Sequence, residues 1–222
     1  MARAEGRYAS LVPVTGADGA VLLAQDENIR AQTTLESLGS LPPAFAGMGA
    51  KFGFDAMADA RLHSGPVQHV HHAGNSPAMA DGASLVLLGS ERAVSRAGLK
   101  ARGRIVATAD VSIDRTLALT GAVDATKLAL ARAGLTADQV DLFEVNESFA
   151  ALMLHYMKHV GIGADRLNVN GGAIALGHAM GSTGAALLGT VLDELERRKG
   201  RYGCIAICGA AGVAVATIIE RL

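Results

Sequence analysis

Three short segments combine residue types able to move a proton or hold a developing negative charge. The first is Ile207-Cys208-Gly209-Ala210-Ala211-Gly212. A cysteine at the end of an apolar run, followed by small residues, can leave its sulfur open and nearby backbone N–H groups free, as a reactive thiolate and an oxyanion site require. The same residue also fits a buried cysteine acting as a small hydrophobe. Cys204, inside the same run, fits that second description better. Strand alternation puts Cys204 and Cys208 on one face, too far apart for a disulfide. The second segment, Asn168 to Gly184, reads NVNGGAIALGHAMGSTG and holds five glycines around His178. Glycines let a backbone pass close to a ligand, and histidine is the commonest acid–base residue, though a lone one often only makes a structural hydrogen bond. The stretch lacks the Gly-Lys-Ser/Thr ending of a phosphate loop. The third, Glu144-Val145-Asn146-Glu147-Ser148-Phe149-Ala150, puts polar residues between two apolar stretches. It reads either as a helix cap formed by Asn146, with Glu147 in the first turn, or as a catalytic loop. His63, His69, His71 and His72 form a fourth cluster. No carboxylate or cysteine lies at a convincing ligand spacing beside them, so no metal site is expected.

Each of the three segments lies where a strand should end or a helix begin. Strands are expected over Ala83–Leu88, Arg104–Ala109, Asp141–Val145, Tyr202–Ile207 and Val213–Ile219, with a brief extended piece at Leu167–Val169. Helices are expected over Ser90–Ala97, Ala122–Ala133 with Gly134 as its stop, Ser148–Val160, and Thr183–Lys199 with a basic last turn and Gly200 as its stop. Thr136 and Gln139 have capping-box spacing. The last two strands are too close for a crossover helix and should pair antiparallel, making a mixed sheet in an α/β layered domain. Before residue 77 the chain reads as an elaborated loop region: a hairpin over Val12–Leu23, one or two helical turns at Thr33–Leu38, and then Pro42, Pro43, Gly47, Gly49, Gly53 and Gly65 interrupting any long element.

Composition narrows the classes. The 222 residues suit one large domain or two small ones, and half of them are hydrophobic, enough for a substantial core. A net charge of -1 gives no general reason to bind nucleic acid or an anionic membrane. No apolar run reaches the roughly 18 uninterrupted residues a membrane span needs. Met1 to Tyr8 is charged, without the apolar core of a signal peptide. Two cysteines are too few for a disulfide framework, so a reducing, cytoplasmic setting is the expectation.

NESFA, NVNGGAIALGH and the final ICGAAGVAVATIIERL resemble, in sequence and in order, the Asn-Glu-Ala-Phe, Gly-His-Pro and Cys-x-Gly loops of the thiolase family. Upstream, HVHHAGNSPAMADGASLVLLGSERA resembles the AGNSSGxxDGAA segment, and ENIRAQTTLESLGSLPPAF the coenzyme-A-binding loop region. The chain thus looks like the C-terminal half of a 3-ketoacyl-CoA thiolase or acetyl-CoA acetyltransferase, most like the degradative thiolases that work with fatty-acid oxidation complexes. The resemblance implies a thiolase-like layered fold with a mixed five-stranded sheet flanked by helices and a partial loop domain at the N-terminus. It implies three parts: residues 1–76 from the coenzyme-A-binding loop region, 77–103 as the last piece of the N-terminal domain, and 104–222 as the C-terminal domain.

By position, the resemblance implies that Cys208 exchanges a proton with the substrate α-carbon. His178 would help activate a nucleophile and donate to the thioester oxygen. Asn146 would hold a water completing that oxyanion hole, and the Ala210 N–H would serve a second hole. Arg30, Ser37, Leu41, Phe45, Ala73 and Ser76 would cradle coenzyme A, and Phe149 would line the pantetheine tunnel. No cofactor is implied; coenzyme A and its thioesters are substrates. The sequence departs from the pattern at Ala179, where the family has proline, at Ala210, where it has glycine, and at Pro77, where it has serine. The family's acyl-accepting cysteine lies in an early segment that these residues do not match. The expectation is therefore a chain inactive alone, pairing with an N-terminal thiolase half or with itself, or else a degenerate fragment that binds acyl-CoA or a protein.

Overall fold

Residues 1–63 and 65–222 are described by a computed structural model. Its core is a mixed sheet in the order β3-β6-β5-β4, built from β3 Gly103–Ser112, β4 Leu142–Val145, β5 Tyr202–Cys208 and β6 Val213–Arg221. β6 runs antiparallel to both β3 and β5, and β5 runs parallel to β4. The final hairpin therefore pairs as its short connection demands, while β4 reaches β5 through a long helical crossover.

Strand alternation sorts the core into two layers. Cys204, Ala206 and Cys208 of β5 face α5 (Ala122–Ala133) and α6 (Ala150–Val160), where they meet Ala125, Ala129, Met153 and Tyr156. Ile205 faces the other way, onto Val191, Leu192 and Leu195 of α8 (Thr183–Arg198). At Gly203 an added Cβ would lie 2.7 Å from the Val191 side chain, so the missing side chain lets α8 sit close on the sheet. α5 ends at Gly134 in the left-handed region, φ 67°, as a glycine stop should. α8 ends one residue earlier than its sequence suggests, because Lys199 itself adopts the left-handed conformation.

The sheet has four strands rather than five. Leu167 takes the fifth position only as a single parallel bridge to Phe143. Asn168 turns left-handed immediately afterwards, at φ 44°. Its side-chain amide then replaces the next rung: Oδ1 accepts from the Val145 N–H at 2.7 Å and Nδ2 donates to the Val145 carbonyl at 2.9 Å. The strand expected over Ala83–Leu88 does not form: these residues carry no strand and pair with none among the described residues. Leu85 is 95% exposed and Leu87 78%, so one side of a run suited to burial on both has no layer over it, while Val86 and Leu88 face α8 and the sheet.

The N-terminal region contains the expected hairpin, β1 Val14–Thr15 against β2 Val21–Leu23. α1, Leu35–Gly39, is opened by a reciprocal capping box between Thr34 and Ser37. More helix forms than the prolines and glycines suggest: α2 Ala46–Phe52 and α3 Phe54–Leu62 meet at Gly53, φ 70°. Gly53 redirects the chain without ending the helical run, and Gly49 stays free of a side chain because the Asp55 carboxylate fills that space. α4, Glu91–Arg96, is capped by Ser90 and leads back to β3.

Candidate active site

Cys208 is the last residue of β5, and its side chain turns toward α5 and α6. The chain then enters a single 3₁₀ turn, Ala210–Gly212, in which Ala211 and Gly212 both lie at positive φ, 61° and 89°. Gly212 is confined to glycine by proximity: its Cβ would fall 2.4 Å from the Ile113 carbonyl oxygen, while its own carbonyl accepts from the Ile113 N–H at 2.9 Å. Ala210 is exposed at the head of this turn, where its N–H has no partner within the turn.

β4 delivers the second element. Asn146 follows its last residue and is pinned beside β5 by a 3.0 Å bond from its own N–H to the Ala206 carbonyl. The helix-cap reading of Asn146 does not hold. α6 begins only at Ala150, with Phe149 in the capping position and no side-chain cap. Instead the Asn146 Nδ2 donates to the Ser148 hydroxyl at 3.2 Å, and that hydroxyl lies 3.4 Å from the Cys208 sulfur. Asn146 is 1% exposed, and its Oδ1 is buried without a partner among the described residues. Loops separated by 60 residues thus converge on one sulfur.

Glu147 also does not sit in the first turn of α6. Its carboxylate accepts from the Ile174 N–H at 2.9 Å and from Asn168 Nδ2 at 3.1 Å. It therefore closes the start of α7, Ala173–Leu176, and ties the glycine-rich segment to the end of β4. Gly172 accommodates it: a Cβ there would meet the Glu147 carboxyl carbon at 2.3 Å.

His178 lies on the far side of that segment, half-buried. Its Nδ1 pairs with the Thr183 hydroxyl at 2.9 Å, and its backbone N–H donates to the Ala78 carbonyl at 2.8 Å. Burial pushes its pKa below the ordinary histidine value, which keeps the ring neutral near pH 7. Thr183 and Gly184 carry this loop onto the sheet, where the Gly184 backbone approaches Ile207, the neighbour of Cys208. Among the described residues no hydrogen bond joins His178 directly to Cys208. The two sulfurs differ in setting: burial pushes the Cys204 thiol up to about 12, whereas at Cys208 burial raises the pKa and the Ser148 hydrogen bond opposes the rise.

A second cluster forms around Phe149. Its ring packs edge-on against Phe45 at 5.8 Å and tilts against His71 at 4.4 Å. The loop from Val70 to Ser76 is closed on itself by Asn75, whose Oδ1 accepts from the His72 N–H at 2.8 Å, and by the Ser76 hydroxyl, which donates to the His72 carbonyl at 2.9 Å. Leu38 and Leu41 press on Gly74 in the same loop, and the Ala150 N–H donates to the Asn75 carbonyl. Leu41, Phe45, Ser76 and Phe149 are thus gathered around one loop, on which Ala73 is exposed. Ser37 spends its hydroxyl in the capping box of α1, and the exposed Arg30 guanidinium makes no hydrogen bond or ion pair with this cluster among the described residues. Sequence reasoning missed His71, whose buried Nδ1 has no partner among the described residues and which stood out only as one of four clustered histidines.

Those histidines serve separate purposes. His69 pairs with Asp55 at 3.0 Å, His72 Nδ1 accepts from the Gly74 N–H, and His71 stacks on Phe149. Among the described residues no group of three or more His, Cys, Asp or Glu side chains could hold a metal ion, and no helix is long and apolar enough to cross a membrane.

Comparison with known proteins points to one family. A family profile described as "Thiolase, C-terminal domain" matches residues 99–221. A 3-ketoacyl-CoA thiolase of Serratia proteamaculans (strain 568) is 41% identical over 218 residues, covering 96% of this chain and 51% of that protein. Its namesake in Klebsiella pneumoniae is 37% identical over 220 residues, covering 96% of this chain and 52% of that protein. The crystal structure of a Bacillus anthracis acetyl-CoA acetyltransferase superposes with a TM-score of 0.84 at 29% identity, over 100% of this chain and 52% of that one. The chain spans about half the length of the relatives it matches.

Proposed function

The chain belongs to the thiolase family, and from that premise we propose that it contributes the proton-exchanging half of an acyl-transfer site: thiolysis of a 3-ketoacyl-CoA, or the reverse Claisen condensation. The observation that carries the reading is the convergence of Cys208 and Asn146 through Ser148, from loops that the sequence keeps far apart. In this reading residues 104–222 act as the C-terminal domain, 77–103 as the end of an N-terminal domain, and 1–76 as a coenzyme-A-binding region.

Carbon–carbon bond chemistry beside a thioester passes through an enolate, whose oxygen needs fixed donors. With Nδ1 engaged by Thr183, the nitrogen of His178 left for a thioester oxygen is Nε2, and a neutral ring can donate from it. Asn146 Oδ1, buried and without a partner among the described residues, supplies an acceptor for the water expected in this hole. The exposed Ala210 N–H serves the second hole. Cys208 takes or returns the α-carbon proton, a role that needs a thiol able to lose its proton without leaving the pocket. Leu41, Phe45, Ala73, Ser76 and Phe149 provide an apolar wall and polar rim for the coenzyme A arm, and Arg30 and Ser37 are assigned to the same arm by their positions in the family pattern.

An acyl-enzyme requires a second nucleophile. Cys204 is fully buried and its thiol is held protonated, so it does not supply one. The acyl-accepting cysteine is proposed to come from a thiolase N-terminal half outside these residues. The uncovered leucines of 83–88 are consistent with a partner there, whether that half or a second copy of the chain. Association with a fatty-acid oxidation complex in the cytoplasm belongs to the same proposal.

The test is thiolysis of acetoacetyl-CoA and of a longer 3-ketoacyl-CoA by the purified chain, alone and co-expressed with a thiolase N-terminal half. Turnover only in the mixture, lost in Cys208→Ala, is expected. Turnover by the chain alone, or activity undiminished in Cys208→Ala, would refute the assignment. Acyl-CoA binding without turnover in either arrangement would instead identify a binding module.

A further inference from the structure

Ser148 stands where the loop it resembles carries alanine, and its hydroxyl sits between two groups of the proposed site. The Asn146 amide donates to Ser148 Oγ at 3.2 Å. That bond fills an acceptor position of the hydroxyl and leaves its proton for the Cys208 sulfur, 3.4 Å away. The Ser148 N–H is bonded back to the Asn146 carbonyl at 3.1 Å, which holds the turn that carries the hydroxyl closed. We propose that Ser148 is a positioning residue for Cys208: its hydroxyl, aimed by the Asn146 amide, donates to the sulfur and favours the thiolate over the thiol. The significance for turnover rests on the reading of Cys208 as the proton-exchanging group.

The surroundings offer the sulfur no competing charge. From α6, His155 and Tyr156 line the small cavity beside Cys208; from the α5 side the walls are Leu119, Thr120 and Val123. Burial, reinforced by His159, lowers the His155 pKa, and burial keeps the Tyr156 phenol protonated. Cys204, on the same sheet face, is likewise held as a thiol. Among the described residues Ser148 is the only side chain hydrogen-bonded to Cys208, so losing its hydroxyl leaves burial opposed only by the backbone at Cys208. A donor to an ionised sulfur is a charge-assisted bond, whereas the same donor to a neutral thiol is a weak one. The difference acts directly on the thiol–thiolate equilibrium.

The experiment is an ultraviolet thiolate titration of the whole purified chain, with Cys208→Ala as the baseline that isolates the Cys208 step. In Ser148→Ala the midpoint of that step should rise by about one pH unit, a roughly tenfold loss of thiolate at a given pH. Ser148→Thr, which keeps the hydroxyl, should return the midpoint most of the way, and a purely space-filling role would not produce that difference. A midpoint in Ser148→Ala that is unmoved or lower overturns the proposal. So does a Ser148→Thr midpoint raised by about one pH unit above the parent's, a comparison with the parent that survives even if the alanine variant unfolds early in the titration. The measurement needs no partner and no turnover. Activity retained in Cys208→Ala would therefore remove the acyl-transfer reading while leaving the titration result standing, and an unmoved midpoint would remove Ser148 while leaving the acyl-transfer reading intact.

Discussion

Glu144 offers a measurable cost at the centre of the sheet. It lies in β4 between Phe143 and Val145, on the face opposite them, and is 2% exposed. Burial first, and then the nearby Glu147 and Glu194 carboxylates, push its pKa from 4.5 up to about 8. A carboxyl whose folded value exceeds its unfolded value keeps its proton in the fold after the unfolded chain has released it. Stability must therefore fall as pH rises from about 4.5 to about 8 and level off above that. Each pH unit of that window is worth about 1.4 kcal/mol, so the loss across it is on the order of 3–5 kcal/mol. Glu144→Gln keeps the shape and abolishes the titration. Its stability relative to the parent chain should grow through the same window and favour the variant by a few kcal/mol near pH 8. Urea unfolding of both proteins at a series of pH values measures this, and the difference between the curves cancels groups common to both. Glu194 is one such group: burial opposes its ionisation, but hydrogen bonds from Arg197, Arg198 and Asn170 hold it down at about 2, so its contribution is lost only as pH falls below about 4.5. Parallel pH curves for parent and variant would refute the reasoning.

Two further substitutions probe the joints of the site. Asn168→Ala removes both side-chain bonds to Val145 and places alanine at positive φ; it should cost about 2–4 kcal/mol in urea unfolding. A cost below about 0.5 kcal/mol would mean that water replaces the rung. Gly172→Ala drives a methyl group into the Glu147 carboxylate, which must release the Ile174 N–H; the expected cost is about 1–2 kcal/mol. Combined with Glu147→Ala, the same change should cost much less than the sum of the two, and strict additivity would show that the contact is not shared.

The parts of the fold legible in the sequence were those with local causes. α5 and α8 show apolar periodicity closed by a glycine or a basic turn, and the two last strands pair as their spacing requires. The Thr136–Gln139 capping box forms around a 3₁₀ turn, Ala137–Gln139. What was not legible depended on partners distant in sequence. Nothing near Leu167 announces that an asparagine side chain will stand in for a strand rung, and nothing near Glu147 points to the backbone of Ile174. Ala83–Leu88 has the composition of a buried strand, but composition does not supply the layer that would cover it. α2 and α3 form despite Gly47, Gly49 and Gly53 because the first two tolerate helix and the third turns the chain between helices. The three chemical segments were found by residue type. Their convergence was not, since nothing in the segment that holds Asn146 and Ser148 shows that the Ser148 hydroxyl meets a sulfur 60 residues away.

The position of β6 has a consequence for how the molecule comes into being. The strand nearest the end of the sequence lies in the middle of the sheet, between β3 and β5. While a ribosome is still making residues 213–221, β3 has no neighbour to pair with and β5 has only β4. The sheet cannot assemble from one edge as these residues emerge, so its closure waits for residues 213–221 to leave the exit tunnel and proceeds through long-range pairings that form slowly. Loss of β6 as a whole would divide the sheet and remove Ala214, the partner of Cys208, whereas loss of β1 and β2 would leave every pairing of the four-stranded sheet intact.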